Sequence, residues 1–94
     1  MTHCILVKFV PEIADKAALC AEIEGFYADT GAKEGVKSVT LRRCCIDRAN
    51  RYDLLIELEM DKDDLPVWDA SAKHAEWKAR YGEKLASKAI FDFE

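Results

Sequence analysis

Long runs of any single residue class are missing from this sequence. The most apolar stretch, near the start of the chain, covers only about eight residues and contains Lys8, so it is too short for a signal-peptide core or a bilayer span. No run of lysine and arginine is long enough to follow a phosphate backbone, and 18 acidic residues outnumber 14 basic ones, for a net charge of −4. These features predict a cytoplasmic protein with neither nucleic acid nor membrane as a partner.

The four cysteines lack the spacing of a zinc site or of a CxxC redox motif, and Cys44 and Cys45 are adjacent. We therefore predict free thiols that serve as small apolar residues in a reducing compartment. The alternative is a reactive thiol at Cys44 or Cys45, beside the positive charges of Arg42 and Arg43.

The composition is that of one small globular domain, which we assign to residues 1–94. Half of the residues are hydrophobic and 34% are charged, a balance typical of folded proteins rather than disordered ones. A chain of this length buries only about 60–65% of the surface that its unfolded form exposes. Its stability margin is therefore expected to be thin.

Hydrophobic periodicity divides the chain into strands, with a repeat of two residues, and helices, with a repeat of 3.6. Gly31 is suited to the left-handed residue that ends many helices, and Ser71 is suited to cap the last helix. The predicted strands are 2–10, 36–46, 52–60 and 87–94, the predicted helices are 13–28 and 72–84, and a short helical segment at 61–70 is broken by Pro66.

The order β, α, β, β, α, β predicts a ferredoxin-like α+β subunit, a four-stranded antiparallel sheet with helices on one face. The first strand is apolar on both faces, so the second face needs a cover. We predict a homodimer formed through this open sheet face, giving a dimeric α+β barrel. Asp53, Glu57 and Glu59 on the second face of the third strand would make the interface mixed in polarity, and the alternative is a solvated face.

His74 is one of only two histidines, and it shares a helix face with Trp77 and Tyr81. It is either a histidine at the edge of the core with one hydrogen-bond partner or a base in the wall of a pocket. His3 is predicted to point toward the helices as well. No carboxylate stands at a ligand-like spacing to either histidine, so we predict neither a metal site nor a cofactor.

The whole chain resembles the stress-responsive A/B barrel family of small dimeric α+β barrel proteins. The matching features are His3 and the apolar run into "KF", "GV" at 35–36, "YDLLIELE" from Tyr52, the helix-borne His74 and the closing "FDF" at 91–93. Each motif is short, and their order and spacing across nearly all of the chain carry the resemblance.

One plant branch of that family is a polyketide cyclase, and the resemblance implies roles for residues of this chain. His74 would be the base and Asp92 its orienting partner, beside an apolar cavity between sheet and helices. The family's tyrosine is replaced here by Trp68, which has no acidic hydroxyl, and its His-Pro by Ser71-Ala72. The residues expected at the cavity are His3, Ile5, Val7, Ile56, Leu58, Trp68, Trp77 and Tyr81.

Three functions follow from these features. The first is a homodimer that binds a small apolar ligand, with acid/base chemistry at His74. The second is a structural or stress-associated protein whose bulky aromatic residues fill the cavity. The third is a monooxygenase-like or haem-degrading enzyme of the same barrel type. Such enzymes usually rely on asparagine among the groups at the cavity, and the sole asparagine of this chain, Asn50, lies in a predicted turn. Fold analogy does not choose among them, and whether the chain is an enzyme stays open.

Overall fold

The computed structural model describes all residues from Met1 to Glu94 and contains four strands and three α-helices. No helix has the length and apolar character that a bilayer span requires. Short 3₁₀ turns lie at Ala32–Glu34, Lys62–Asp64 and Gly82–Lys84. The regular elements, in chain order, are β1 (Thr2–Phe9), α1 (Lys16–Tyr27), β2 (Ser38–Arg43), β3 (Leu54–Glu59), α2 (Leu65–Asp69), α3 (Ala72–Tyr81) and β4 (Leu85–Phe93).

The four strands form one antiparallel sheet in the order β2-β3-β1-β4. β1 is central, with Ile5 opposite Ile56 of β3 on one side and opposite Ile90 of β4 on the other. A register shift between Lys8 and Phe9 interrupts the ladder with β4. This topology confirms the ferredoxin-like α+β fold predicted from the order of the elements.

The hydrophobic core lies between one face of the sheet and the helices. Alternate residues of β1 and β3 point into it because side chains along a strand alternate between faces. From α1 come Ile23 and Tyr27, both fully buried, and α2 and α3 add Trp68, Trp77 and Tyr81. The sheet residues with at most 3% exposure are Ile5, Val7, Phe9, Leu54, Ile56 and Leu58.

Two predicted local features are wrong. Gly31 is extended, with φ −158, and α1 ends at Tyr27 before reaching it; the left-handed glycine is Gly35, with φ 77. Gly35 ends the 3₁₀ turn that follows α1. The position of Gly31 after α1 therefore did not identify the residue that ends that helix. Pro66 does not break the short helix but stands in its first turn, where a missing N–H costs no intrahelical hydrogen bond.

Element boundaries also differ from the predicted ones by a few residues. α1 begins only at Lys16 because the Asp15 side chain caps it, accepting a hydrogen bond from the N–H of Ala18 at 3.0 Å. The predicted cap of α3 is confirmed, since the Ser71 hydroxyl accepts from the N–H of His74 at 3.1 Å. β2 stops at Arg43, so the two following cysteines lie outside the sheet.

The second face of the sheet carries no helix. On it, Leu6 of β1 lies between Leu55 of β3 and Ala89 of β4. Phe91 and Phe93 of β4 share this face and are 64% and 46% exposed. We call this surface the open face; it combines an apolar strip with polar residues of β2 and β3.

Candidate functional site

One hydrogen-bonded pair of polar side chains on the helix-facing side joins the first and last strands. His3 and Asp92 are directly opposite each other in the β1–β4 ladder, and the Nδ1–H of His3 donates a hydrogen bond to the Asp92 carboxylate. The His3 side chain is 8% exposed and that of Asp92 is 35% exposed. Because the carboxylate accepts at Nδ1, the neutral imidazole presents Nε2 as an acceptor.

The resemblance implied a pair between His74 and Asp92, but His74 does not pair with Asp92. Its Nδ1 lies 3.0 Å from the backbone carbonyl oxygen of Asp69, and a carbonyl only accepts, so Nδ1 carries the proton. The His74 ring is half-buried and packs on Trp68, with ring centroids 5.1 Å apart. The orienting partner of His74 is therefore the chain at the end of α2, while Asp92 orients His3.

This difference has a simple physical origin. The register of β1 against β4 places Asp92 beside His3 on the helix-facing side of the sheet, and side chains directly opposite each other across a ladder are close enough to interact. His74 lies in the first turn of α3, five residues after Asp69, where a backbone carbonyl at the end of α2 is within reach. The sequence contained both partners but not the strand register that decides between them.

The other residues expected around a cavity are buried. The four sheet residues Ile5, Val7, Ile56 and Leu58 face the helices with at most 2% exposure. Trp68, Trp77 and Tyr81 are equally buried. They form an aromatic layer with Phe26 and Tyr27, in which neighbouring ring centroids are 5.2 to 6.3 Å apart. The structure thus brings these side chains together as packed neighbours.

Three hydrogen-bonding groups within this layer have no partner. The Tyr27 hydroxyl, the Trp68 indole N–H and the Tyr81 hydroxyl are all buried and unpaired, although buried polar groups are nearly always hydrogen-bonded. The Tyr27 and Trp68 rings are adjacent, with centroids 6.3 Å apart. Burial, with a smaller contribution from Tyr81, raises the pKa of Tyr27, so its hydroxyl stays protonated at neutral pH and is available as a donor.

Sequence reasoning placed Tyr27 only in the apolar stripe of the first helix. Its hydroxyl was the available signal, because a tyrosine on a core-facing stripe needs a hydrogen-bond partner that a phenylalanine does not. The stripe position gives no indication of whether that partner exists. Only the packing around the ring shows that it is missing.

Three surface depressions are open to solvent, and none is lined by His74, Trp68, Trp77 or Tyr81. One of about 310 Å³ includes Asp92 and lies at the end of β4. One of about 210 Å³ lies between α1 and the segment after β2, and one of about 350 Å³ lies on the open face at the β2–β3 connection. No group of three or more histidine, cysteine or carboxylate side chains is arranged to hold a metal ion.

The cysteines divide into two pairs. Cys4 and Cys20 are buried, as predicted, and burial raises the pKa of each thiol, with Glu57 adding to the effect on Cys4. Cys44 and Cys45 are also free but exposed, so the predicted role as small apolar residues is wrong for these two. Both follow β2, where the chain leaves the sheet and no longer contributes to the core.

Comparison with known proteins finds similarity in structure alone. No protein-family model matches the chain, and no curated protein matches its sequence. A dimeric protein of unknown function with a ferredoxin-like fold from Bacteroides fragilis superposes with a TM-score of 0.80 at 15% identity, over 99% of this chain and 93% of that one. A Dabb family protein with a ferredoxin-like fold from Mesorhizobium loti gives 0.73 at 9% identity, over 99% and 93%.

A hydroxynitrile lyase from Passiflora edulis also superposes, with a TM-score of 0.74 at 10% identity, over 98% of this chain and 89% of that one. These identities are too low to carry function from one protein to another, but the superpositions cover nearly the whole of each chain. The resemblance found in the sequence is therefore confirmed at the level of the fold: this chain has the ferredoxin-like fold of the Dabb, or stress-responsive A/B barrel, proteins.

Proposed function

We propose that this protein is a homodimer formed through the open face and that it binds a small apolar molecule in the aromatic layer beside His74. Its four cysteines form no disulfide, which suits the reducing cytoplasm as its location. The dimer and the ligand site rest on different observations.

The homodimer is supported by the chemistry of the open face. Phe91 and Phe93 leave about half or more of their surface in water, and burying it is favourable by about 25 cal/mol per Å². The carboxylates that seemed unsuited to an interface are already paired within the chain: Glu57 accepts from Arg42 at 2.5 Å, and Glu59 accepts from the Thr2 hydroxyl at 2.7 Å. The Bacteroides fragilis protein of the same fold is dimeric.

The ligand site is carried by one observation, the pair of unpartnered donors at Tyr27 and Trp68. Leaving a buried donor unpaired costs about 1–3 kcal/mol, and a ligand with a carbonyl, carboxylate or ether oxygen would recover that free energy. The surrounding rings would contact an apolar or aromatic body. Because the layer is closed, entry requires movement of Trp68, whose short helix α2 spans only Leu65–Asp69.

Acid/base chemistry at this site would use the uncommitted nitrogens of the histidines. Both His74 and His3 have Nδ1 occupied by an acceptor, and the structure gives Nε2 of neither a hydrogen bond. His74 is the better-placed base for a ligand held by Trp68, because the two rings are in contact. The Passiflora edulis lyase has the same fold as this chain, and that is analogy rather than evidence of a shared reaction.

A second function, a non-catalytic structural protein, is favoured by the closed packing itself. Trp68, Trp77 and Tyr81 fill the space between sheet and helices to 2% exposure or less, and no depression opens beside His74. Under this alternative the two unpaired donors are only a cost of aromatic packing.

The substitution Tyr27→Phe distinguishes the two functions. It removes the unpaired hydroxyl and retains the ring, so the free protein should unfold at the same or a higher denaturant concentration than wild type. If the site binds ligands, uncharged aromatic ketones will shift the NMR signals of His74 and the Trp68 indole, and Tyr27→Phe will weaken their binding about fivefold or more. Tyr52→Phe, at a half-buried tyrosine before β3, is the matched control and should leave binding unchanged.

If no compound shifts either signal, the structural function is favoured. A ligand that binds equally well to wild type and to Tyr27→Phe would contradict the role of the unpaired donors. A separate measurement tests for acid/base chemistry. The exchange of an acidic C–H of a bound ketone with solvent deuterium should be slower with His74→Gln than with wild type, while the variant stays folded. Unchanged exchange would exclude His74 as the base.

A further inference from the structure

The arginines of this acidic protein are concentrated at one end of the sheet. Four of the five arginines lie between residues 42 and 51, whereas the segment from residue 42 to 53 contains only two aspartates. The segment 42–53, which joins the end of β2 to the start of β3, therefore carries a net charge of +2, although the whole chain carries −4. Neither the proposed dimer nor the aromatic layer accounts for this concentration of charge.

Three of these arginines, Arg42, Arg43 and Arg51, border the depression of about 350 Å³ on the open face, a volume within the range of about 300–1,000 Å³ usual for small-molecule pockets. Its floor is apolar and includes Leu6, Leu55 and Tyr52, while Arg42 and Arg51 stand at its rim. A depression with an apolar floor and a cationic rim matches a molecule that has an apolar body and a negatively charged end.

The ion pairs of this region leave specific cations free. Arg42 is paired with Glu57 at 2.5 Å, and Arg43 makes two hydrogen bonds to Glu24 at 2.9 and 2.6 Å. Arg51 has no carboxylate partner; its guanidinium donates only to the side-chain oxygen of neighbouring Asn50 at 2.7 Å. Arg51 is thus the cation at the rim of the depression that is free to bind an external anion.

A second unpaired cation stands next to it. The Lys8 ammonium makes no ion pair and donates to the backbone carbonyl oxygen of Arg51 at 2.7 Å. Lys8 lies on the same face of β1 as Leu6, two residues further along the strand. Two cations without a carboxylate partner are therefore linked at residue 51, and an anionic group bound there would receive charge-assisted hydrogen bonds.

We propose that the depression at the β2–β3 connection binds an amphipathic monoanion, a carboxylate with an aliphatic or aromatic body. The carboxylate pairs with Arg51 near Lys8, and the apolar body covers Leu6, Leu55 and Tyr52. The depression lies at the Arg43–Leu54 end of the sheet, whereas Phe93 and Thr2 pair at the opposite end. The proposal does not depend on the aromatic-layer site and requires only that the partner chain leave this end of the open face accessible.

The test is an NMR titration of backbone amides with octanoate, alongside acetate and octyltrimethylammonium. Octanoate should shift the amides of Leu6, Arg51, Tyr52 and Leu55, acetate should bind more weakly because it lacks the apolar body, and the cation should not bind there. Arg51→Gln should weaken octanoate binding about tenfold. Arg48→Gln, which removes the same charge from the same loop away from the depression, is the matched control and should change the affinity less than about twofold.

Four results would overturn the proposal: no shift at these amides, equal binding of octyltrimethylammonium, an equal loss in both arginine variants, or binding only to a monomeric variant such as Phe91→Ser. The last result would assign the depression to the interface with the partner chain. Because Tyr27→Phe does not touch this depression, failure of the aromatic-layer site would leave octanoate binding here intact.

Discussion

Phe91→Ser gives the sharpest test of the proposed dimer. A fully buried phenylalanine removes about 150–250 Å² from water, and Phe91 is 64% exposed in the single chain, so about 130 Å² of it is available to an interface. At about 25 cal/mol per Å², that area corresponds to about 3 kcal/mol per chain. A two-fold interface contains the residue twice, so the gross loss per dimer is about 6 kcal/mol.

Only part of this area-based free energy is recovered in an association. We therefore expect the dimer dissociation constant to rise at least about a hundredfold, which corresponds to about 2.8 kcal/mol. Analytical ultracentrifugation or light scattering over a concentration series measures the constant directly. Far-UV circular dichroism should stay unchanged, because Phe91 contributes little to the core of its own chain.

Ile90→Ser is the matched control. Ile90 precedes Phe91 on the same strand, is 49% exposed, and points to the helix-facing side of the sheet, opposite the open face. It should leave the dissociation constant within about threefold of wild type. An equal loss of dimer in both variants, or a dimer unaffected by Phe91→Ser, would refute an interface through the open face.

Three further predictions concern stability and reactivity. Gly35→Ala should lower the free energy of unfolding by about 1–2 kcal/mol, because φ is 77 and a Cβ would lie 3.0 Å from that of Val67. Gly25→Ala, with open space inside α1, should raise the free energy of unfolding by about 0.5–1 kcal/mol. Urea denaturation measures both changes, and a change of the same sign in the two variants would contradict this prediction. Hydrogen bonds from Arg43 lower the pKa of Glu24 below its ordinary 4.5, so the ionised pair stabilises the fold above that pH, and this stabilisation is lost as pH falls through the lower folded pKa. Thermal melts should show Glu24→Gln less stable than wild type at neutral pH and equal to wild type in strong acid. A difference in stability that does not change with pH would argue against the pair. A thiol reagent on the native protein should label Cys44 and Cys45 rapidly and the buried Cys4 and Cys20 only on unfolding; four equally fast thiols would be inconsistent with the core described.

The fold was predictable because its main signals are local. The alternation in β3 identified the buried face containing Leu54, Ile56 and Leu58, and the same alternation separates the two faces of β1. Periodicity reports which residues face the core, and the order of the elements then leaves few topologies. Helix ends were less predictable, since a glycine such as Gly31 accommodates an extended backbone as readily as a left-handed one.

The candidate site was only partly predictable. The sequence identified His3, His74 and Asp92 as the polar groups on the helix-facing side, but the pairing depends on strand register and on where α2 ends. Neither is written in a local pattern: β4 carries a bulge opposite Lys8 and Phe9, which shifts its partners along the strand. The sequence could not predict that the Tyr27 hydroxyl and the Trp68 indole N–H lack partners, because this depends on how α1, α2 and α3 pack together.

The central place of β1 has a consequence for biosynthesis. This strand is made first, yet its neighbours β3 and β4 are separated from it by about 50 and 80 residues of chain, so its ladder is completed last. A nascent chain that has not yet released Leu85–Phe93 exposes one edge of an apolar strand, the kind of edge that recruits other chains. We therefore expect substitutions that weaken β4 to reduce the yield of protein in cells more than the stability of the molecules that do mature.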